Sequence, residues 1–430
     1  MNSWLIQNAR IIDPAQKMDN KGSLWISDGL IKWIGQAGQL PPEHDYQVID
    51  AGDLIACPGF IDLHCHLRDP GFEDKETIAS GTQAAARGGF TTLCCMPNTE
   101  PAIDNQSVVD YIKLKASTEG VVRVLPIGCI TQGRKGEILA EMGELADSGV
   151  VAFSDDGNPV MNSRLMRQAL DYSRAFGLPV MEHCEDKVLT DGGQINEGII
   201  STRLGLAGIP SAAEEIMVHR NIALAELTGA RLHLCHLSTA GSVELVRSAK
   251  KKGLKITSEV TPHHLTLTED LVMGYVSNAK VNPPLRTQKD IQALLEGLKD
   301  GTIDAIATDH APHTELEKDS EFAYAPFGIS ILETALGMLM GLVHSGKLDI
   351  DLLISKLTCG PASILGYKHG LTGTLVIGNQ ADVTLVDPNM EWVVDSRTFA
   401  SKGKNTPLNG TTLKGRVRMT FYRGQRVWNL

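Results

Sequence analysis

Eight short apolar runs, most of them closing on polar residues, recur between residues 58 and 369 with helix-like segments between them. No other feature constrains the fold as much. The runs are GFIDLHCH, TTLCCMPN, VRVLPIGC, VVAFSDDG, LPVMEHCE, RLHLCHLS, KITSEVTPHH and DAIATDHAPH. Apolar runs of this type suit a parallel sheet covered by helices, and stretches such as 77–88 and 211–228 supply helical patterns to cover it. Eight β-α repeats in about 310 residues predict an α/β fold of the (β/α)8 TIM-barrel type. A doubly wound sheet is the alternative. It does not readily explain why polar residues stand at nearly every strand's C-terminal end, where a barrel carries its chemistry.

The two ends of the chain lack this alternation. Residues 4 to 57 read as short strands (WLIQNARIID, SLWISD, LIKWIG, YQVIDA) set apart by Gly, Pro and Asp turns. GTLVIG, ADVTLVD, EWVVD and VRMTFYRGQRVWNL read the same way near the other terminus. The expectation is a barrel over 58–369 and one small β domain assembled from 1–57 and 370–430.

His64 and His66 end the first barrel run. Residues i and i+2 of a strand point to the same side, so both imidazoles can face the barrel mouth and suit zinc or a similar divalent metal. An H-x-H pair alone is equally well two satisfied surface histidines. This pair has company: His183 in VMEHCED, His236 in HLCHLS and Asp309 in ATDHAPH each close a separate run. Metal binding is therefore expected at one end of the barrel. Strand alternation predicts that Cys65, Cys184 and Cys235 turn toward the helix layer as small buried hydrophobes, and that His310 points away from the mouth.

Composition bounds the partners. The net charge of −11 argues against nucleic acid, which needs clustered Lys and Arg. The one basic run, Lys250 to Lys252, ends a predicted helix and complements its dipole. No apolar run reaches the roughly 18 residues needed to cross a bilayer. The start MNSWLIQNARIID lacks a signal-peptide pattern. Eight cysteines without a C-x-x-C arrangement suit free thiols in a reducing cytoplasm.

Taken together, GFIDLHCHLRDPG, MPNT, EVTPHHL, KVNPPLR and ATDHAPH resemble the bacterial class I dihydroorotases of the amidohydrolase superfamily, over nearly the whole chain. The resemblance implies reversible cyclisation of N-carbamoyl-L-aspartate to (S)-dihydroorotate, the third step of de novo pyrimidine biosynthesis. It also implies a centre of two zinc ions bridged by an aspartate and a hydroxide. Related hydantoinases bridge their metals with a carboxylated lysine after the fourth strand, where this chain has VVAFSDDGN and no lysine. Aspartate is a short arm, so its backbone must approach the metals. Asp156, followed by Gly157, fits that better than Asp155, whose other role would be a turn or N-cap carboxylate. One metal would take His64, His66, Asp156 and Asp309, and the other Asp156, His183 and His236.

The resemblance makes Asp309 the catalytic acid and base. It assigns Arg68, Asn98 and His313 to the substrate's α-carboxylate, with His66 beside them, and Asn282, Phe327 and Gly328 to the ring amides. Read without the family, Asn98 and Asn282 are equally well turn residues. His263 and His264 are not ligands in the resembled family and are expected to be structural. The rival readings are a hydantoinase or allantoinase, disfavoured by the missing lysine and by the Arg68–Asn98 pairing, and a non-catalytic scaffold subunit, disfavoured because every ligand type is present. A homodimer and association with aspartate transcarbamoylase are both compatible with the resemblance.

Overall fold

The computed structural model describes residues 3–42, 45–367 and 370–430. The first barrel strand, Phe60–Cys65, pairs in parallel with the second, Phe90–Cys95, which pairs with the third, Arg123–Pro126. On the other side Val180–Glu182, Leu232–Leu234, Ile256–Val260 and Ala305–Ile306 form a second parallel arc in chain order. These are the fifth to eighth strands. The fourth run, VVAFSDDG, is reduced to a single pairing residue: Phe153 bridges Gly128 on one side and Val180 on the other. At the opposite seam His310 pairs with Cys65, and the amides of Asp309 and His66 donate to the carbonyls of His64 and His310, each at 2.9 Å. The eight positions thus join in a ring, with single bridges rather than long ladders at the two seams.

Helices cover this ring. The helix Ile78–Arg87 begins at a capping box between Thr77 and Ser80, worth about 1 kcal/mol, and ends at Gly88. The helix Ser211–Thr228 buries Ala213, Met217, Val218, Ile222 and Ala225, a period near 3.6. Phe60, Phe90 and Phe153 pack into the large cluster shared with these helices. Ile61, Leu63, Leu125, Ile127, Met181, Ala305 and Ala307 form a separate cluster with Ala362 and Ile364 of the helix Cys359–Ile364, and so fill the inside of the ring. Burial of each large side chain here stabilises the fold by about 1.5–3 kcal/mol.

The two chain ends meet in one eight-stranded sheet. Ile55–Pro58 pairs in parallel with Trp4–Asp13 and antiparallel with Val383–Val393, stitching the N-terminal strands to the C-terminal ones. Two expectations need correction. ADVTLVD and EWVVD are one strand, with a register shift between Asp387 and Glu391. GTLVIG forms no strand, because Leu375 N and Thr374 Oγ1 donate to the Asp13 carboxylate, at 2.7 and 2.6 Å, rather than to a neighbouring strand. The expected boundary at 369/370 falls on Lys368 and His369, which lie outside the described residues. Among the described residues no helix is long and apolar enough to cross a membrane. All eight cysteines are free, and seven are buried.

Candidate metal centre and substrate pocket

Four imidazoles and two carboxylates converge where the barrel strands end. His64 Nε2 lies 3.4 Å from Asp156 Oδ1 and 3.6 Å from Asp309 Oδ1. His66 Nε2 is 2.9 Å from Asp309 Oδ1 and 3.7 Å from Asp156 Oδ2. From the far side, His183 Nδ1 and His236 Nε2 each approach Asp156 Oδ1 to 3.7 Å and stand 2.9 Å from one another. All six residues predicted as ligands therefore share one cluster, with Asp156 between the two pairs of histidines.

Asp155 is turned elsewhere. Its carboxylate accepts from Ile130 N at 2.8 Å, Thr131 N at 3.1 Å and Thr131 Oγ1, and so ties the fourth run to the loop after the third strand. Burial raises its pKa to about 6 against those hydrogen bonds. Asp156 follows on a backbone held by Ser154 Oγ, 3.0 Å from its amide, and by Arg134 at its carbonyl.

Three residues here sit at positive φ: Arg68 at 61°, His236 at 32° and Asp309 at 49°. Such strain collects where the surrounding structure over-determines a functional side chain. At His236 it overturns one expectation. Cys235 faces inward, its Sγ close to His64 and Glu259, instead of toward the helices. The left-handed turn at His236 breaks the alternation, so two successive side chains point into the barrel. Cys65 and Cys184 do face the helix layer. His310 points away, with Nε2 3.2 Å from Glu76.

The donor set fits a cationic metal. His64 Nε2 and Asp156 Oδ1 are buried without a hydrogen-bond partner, a state that is costly unless something else satisfies it. His64 is held well above the ordinary histidine pKa: burial opposes its charge, but Asp156 and Asp309 outweigh burial. Asp156 is held well below the carboxylate range, burial again being outweighed, here first by His64. The cluster is thus built around positive charge. The outer nitrogens are oriented as metal-ligating histidines usually are. His64 Nδ1 lies 2.9 Å from Glu259 Oε1, His66 Nδ1 2.9 Å from Asn98 Oδ1, and His183 Nε2 2.9 Å from Glu185 Oε2.

Above the cluster opens a cavity of about 650 Å³, lined by five of the six predicted ligands (all but His64) and by every predicted substrate residue. Arg68 Nε donates to Pro312 O at 3.3 Å. Burial pushes the Arg68 pKa down to about 10, which leaves it charged at neutral pH. His313 Nε2 lies 2.9 Å from the Phe327 carbonyl, and burial with Arg68 nearby lowers its pKa to about 3. Neutral His313 therefore acts as a prop for the Phe327 loop and a neighbour of Arg68. Gly328 has φ 144°, and a Cβ there would stand 2.6 Å from Ala311 O. Two buried lysines hold this loop. Lys280 Nζ donates to Phe322 O and Ala323 O, and Lys318 Nζ to Pro326 O and Gly328 O.

Sequence reasoning missed Glu185, Glu259, Arg134, Lys187 and the 190–193 loop, all placed at or behind the cavity. Glu185 carried a usable signal, since it follows His183 at the spacing that relates His64 to His66. Glu259 sits inside EVTPHHL but reaches His64 only across the ring, which no local pattern reveals.

The Dihydro-orotase-like family profile matches residues 52–242. The dihydroorotases of Geobacter sp. (strain M21) and Citrifermentans bemidjiense are each 52% identical over 424 residues, covering 99% of both chains. The dihydroorotase of Thermoanaerobacter sp. (strain X514) is 52% identical over 422 residues, covering 98% of this chain and 96% of its own. Among solved structures, the L-hydantoinase (dihydropyrimidinase) of Arthrobacter aurescens superposes with a TM-score of 0.89 at 24% identity, over 100% of this chain and 96% of that one. The dihydropyrimidinase of Brevibacillus agri NCHU1002 gives 0.85 at 22% identity, over 99% and 95%. These two likenesses establish the shared fold of barrel and β domain. Sharing half its residues with full-length relatives, the chain belongs to the dihydroorotase family.

Proposed function

We propose that the cavity closes N-carbamoyl-L-aspartate to (S)-dihydroorotate with loss of water, and opens the ring in reverse, using two zinc ions. His64, His66, Asp156 and Asp309 would hold one ion, and Asp156, His183 and His236 the other. The observation that carries this reading is Asp156, whose two oxygens face four imidazoles in a cavity that also presents Arg68. When bound, the ions polarise the reacting carbonyl and lower the pKa of water.

The chain's own residues supply orientation and proton transfer. The planar fork of Arg68 suits a carboxylate bidentately. Asn98, its oxygen committed to His66, presents its amide nitrogen to the same group. Together they determine which of the substrate's two carboxylates enters the metal centre. Asn282, the Phe327 carbonyl and the Gly328 backbone are suited to the ring amides. Asp309, kept ionised because His64 and His66 outweigh burial, accepts the proton of the attacking carbamoyl nitrogen in ring closure. It then gives that proton to the departing hydroxyl, which leaves as water. In ring opening it takes a proton from the attacking water and delivers it to the leaving nitrogen. On this reading residues 58–369 are the catalytic barrel, 1–57 with 370–430 the small β domain, and the chain serves cytoplasmic pyrimidine synthesis.

Hydantoinase-type chemistry is the competing reading, and the fourth run's lack of a lysine disfavours it. Metal analysis of the purified protein, with kcat/KM for dihydroorotate and for dihydrouracil, decides between them. Zinc in the protein and turnover of dihydroorotate alone are expected. A preference for dihydrouracil overturns the substrate assignment.

A further inference from the structure

Glu185 belongs to neither the ligand set nor the substrate set, yet it is 6% exposed and forms part of the cavity wall. One of its oxygens, Oε2, faces three donors. His183 Nε2 and Asn282 Nδ2 each lie at 2.9 Å, and Lys187 Nζ lies at 2.6 Å. Those donors come from different parts of the site. His183 ends the fifth strand beside Asp156, Asn282 lies in the loop after the seventh strand, and Lys187 is on the rim.

Each contact settles an orientation. An imidazole that donates Nε2–H to a carboxylate carries its lone pair on Nδ1, the atom turned toward Asp156 and His236. An amide that donates from Nδ2 keeps Oδ1 free to accept, which is what a ring N–H in the cavity requires. Lys187 supplies the counter-charge that lets the carboxylate stay buried.

We propose that Glu185 is a positioning residue that couples the two halves of the site, setting the ligating tautomer of His183 and the amide orientation of Asn282 through one oxygen. The inference rests on the reading of His183 as a ligand and Asn282 as a substrate contact. Glu185→Gln keeps the shape but adds an NH2 group where a three-fold acceptor stood. Losing such a partner to a ligating histidine typically weakens metal affinity about 10–100-fold.

The test measures zinc affinity by chelator competition, KM and kcat for dihydroorotate, and the melting temperature of the zinc-stripped proteins. It compares wild type with Glu185→Gln, His183→Ala and Asn282→Ala. Glu185→Gln is expected to lose zinc affinity by that factor and to raise KM, while the melting temperature of the stripped protein stays at the wild-type value. Asn282→Ala is expected to raise KM with zinc affinity intact, and His183→Ala to lose one zinc. Should Glu185→Gln not fold, Glu185→Asp, which withdraws the charge by one carbon, is expected to show smaller shifts in the same two quantities. Wild-type zinc affinity in a folded Glu185 variant, with His183→Ala depleted, overturns the proposal alone. A fall in zinc affinity with KM unchanged overturns the coupling to Asn282. Full zinc in His183→Ala overturns the ligand reading, and the coupling falls with it.

Discussion

Two sets of histidines stand at the same end of the barrel, equally buried, and differ in what faces them. His64, His66, His183 and His236 surround Asp156, with Asp309 beside the first two. His263 and His264 lie in the short helix Pro262–Thr266, and among the described residues neither pairs with a carboxylate. His264 is satisfied by Thr261 Oγ1 at 2.8 Å and Pro283 O at 3.0 Å, and burial lowers its pKa to about 4. His263 is pushed well below the ordinary value by burial and by its neighbour. Burial acts on both sets alike. The facing carboxylates raise His64 and His236 against burial, while His66, also beside Arg68, stays below the ordinary value, and the second set has no carboxylate in hydrogen-bond reach.

The sharpest way to break this comparison is to remove the carboxylates. Asp309→Asn is expected to lose both reaction directions, by roughly 10² to 10⁴ from acid–base catalysis, with lost ligation adding to that. Normal ring opening with failed ring closure, measured on the same preparation, would refute the shared role. Asp156→Ala is expected to lose at least one zinc by metal analysis.

Next in size is Arg68→Met. Hydrogen bonds to charged groups are worth about 1.5–3 kcal/mol each, so kcat/KM for dihydroorotate is expected to fall at least about tenfold. The loss should come largely through KM, with both zinc ions retained. Lysine at 68 is expected to restore little, because a point charge does not reproduce the fork.

Asp155 sharpens the contrast from the neighbouring position. Asp155→Ala strands two buried amides and a hydroxyl, which predicts a stability loss of about 1–3 kcal/mol with metal content intact. Zinc loss matching that of Asp156→Ala would show that the two neighbours do not divide bridge from brace. The smallest effect is expected for His264→Asn. It should cost about 1 kcal/mol in denaturant unfolding and no zinc, and depletion of metal there would erase the distinction between the two sets.

Much of the site was legible because the chemistry is written at strand ends. H-x-H at 64 and 66, His183, His236 and Asp309 each close an apolar run, and period-2 geometry with barrel topology brings such residues together. The terminal β domain was legible from alternating strands bounded by turn residues. What was misread has local causes. Cys235 follows His233 on the inner side, and the turn at His236 brings the next side chain inward as well. Side-chain capture by Asp13 kept 373–378 out of the sheet.

By itself, then, the sequence determined which residue types stand at which strand ends, and with them the class of chemistry. Tertiary structure decided how those residues are used. It turned Asp156 toward the histidines and Asp155 toward the loop after the third strand, a choice between adjacent residues that composition leaves open. It brought Glu259 to His64 across the ring and made Glu185 the meeting point of His183, Asn282 and Lys187. Strand periodicity is a local property and can be read along the chain. The partners of His64 and His66, Glu259 and Asn98, come from other strands or the loops that follow them, and only closure of the barrel brings these pairs together.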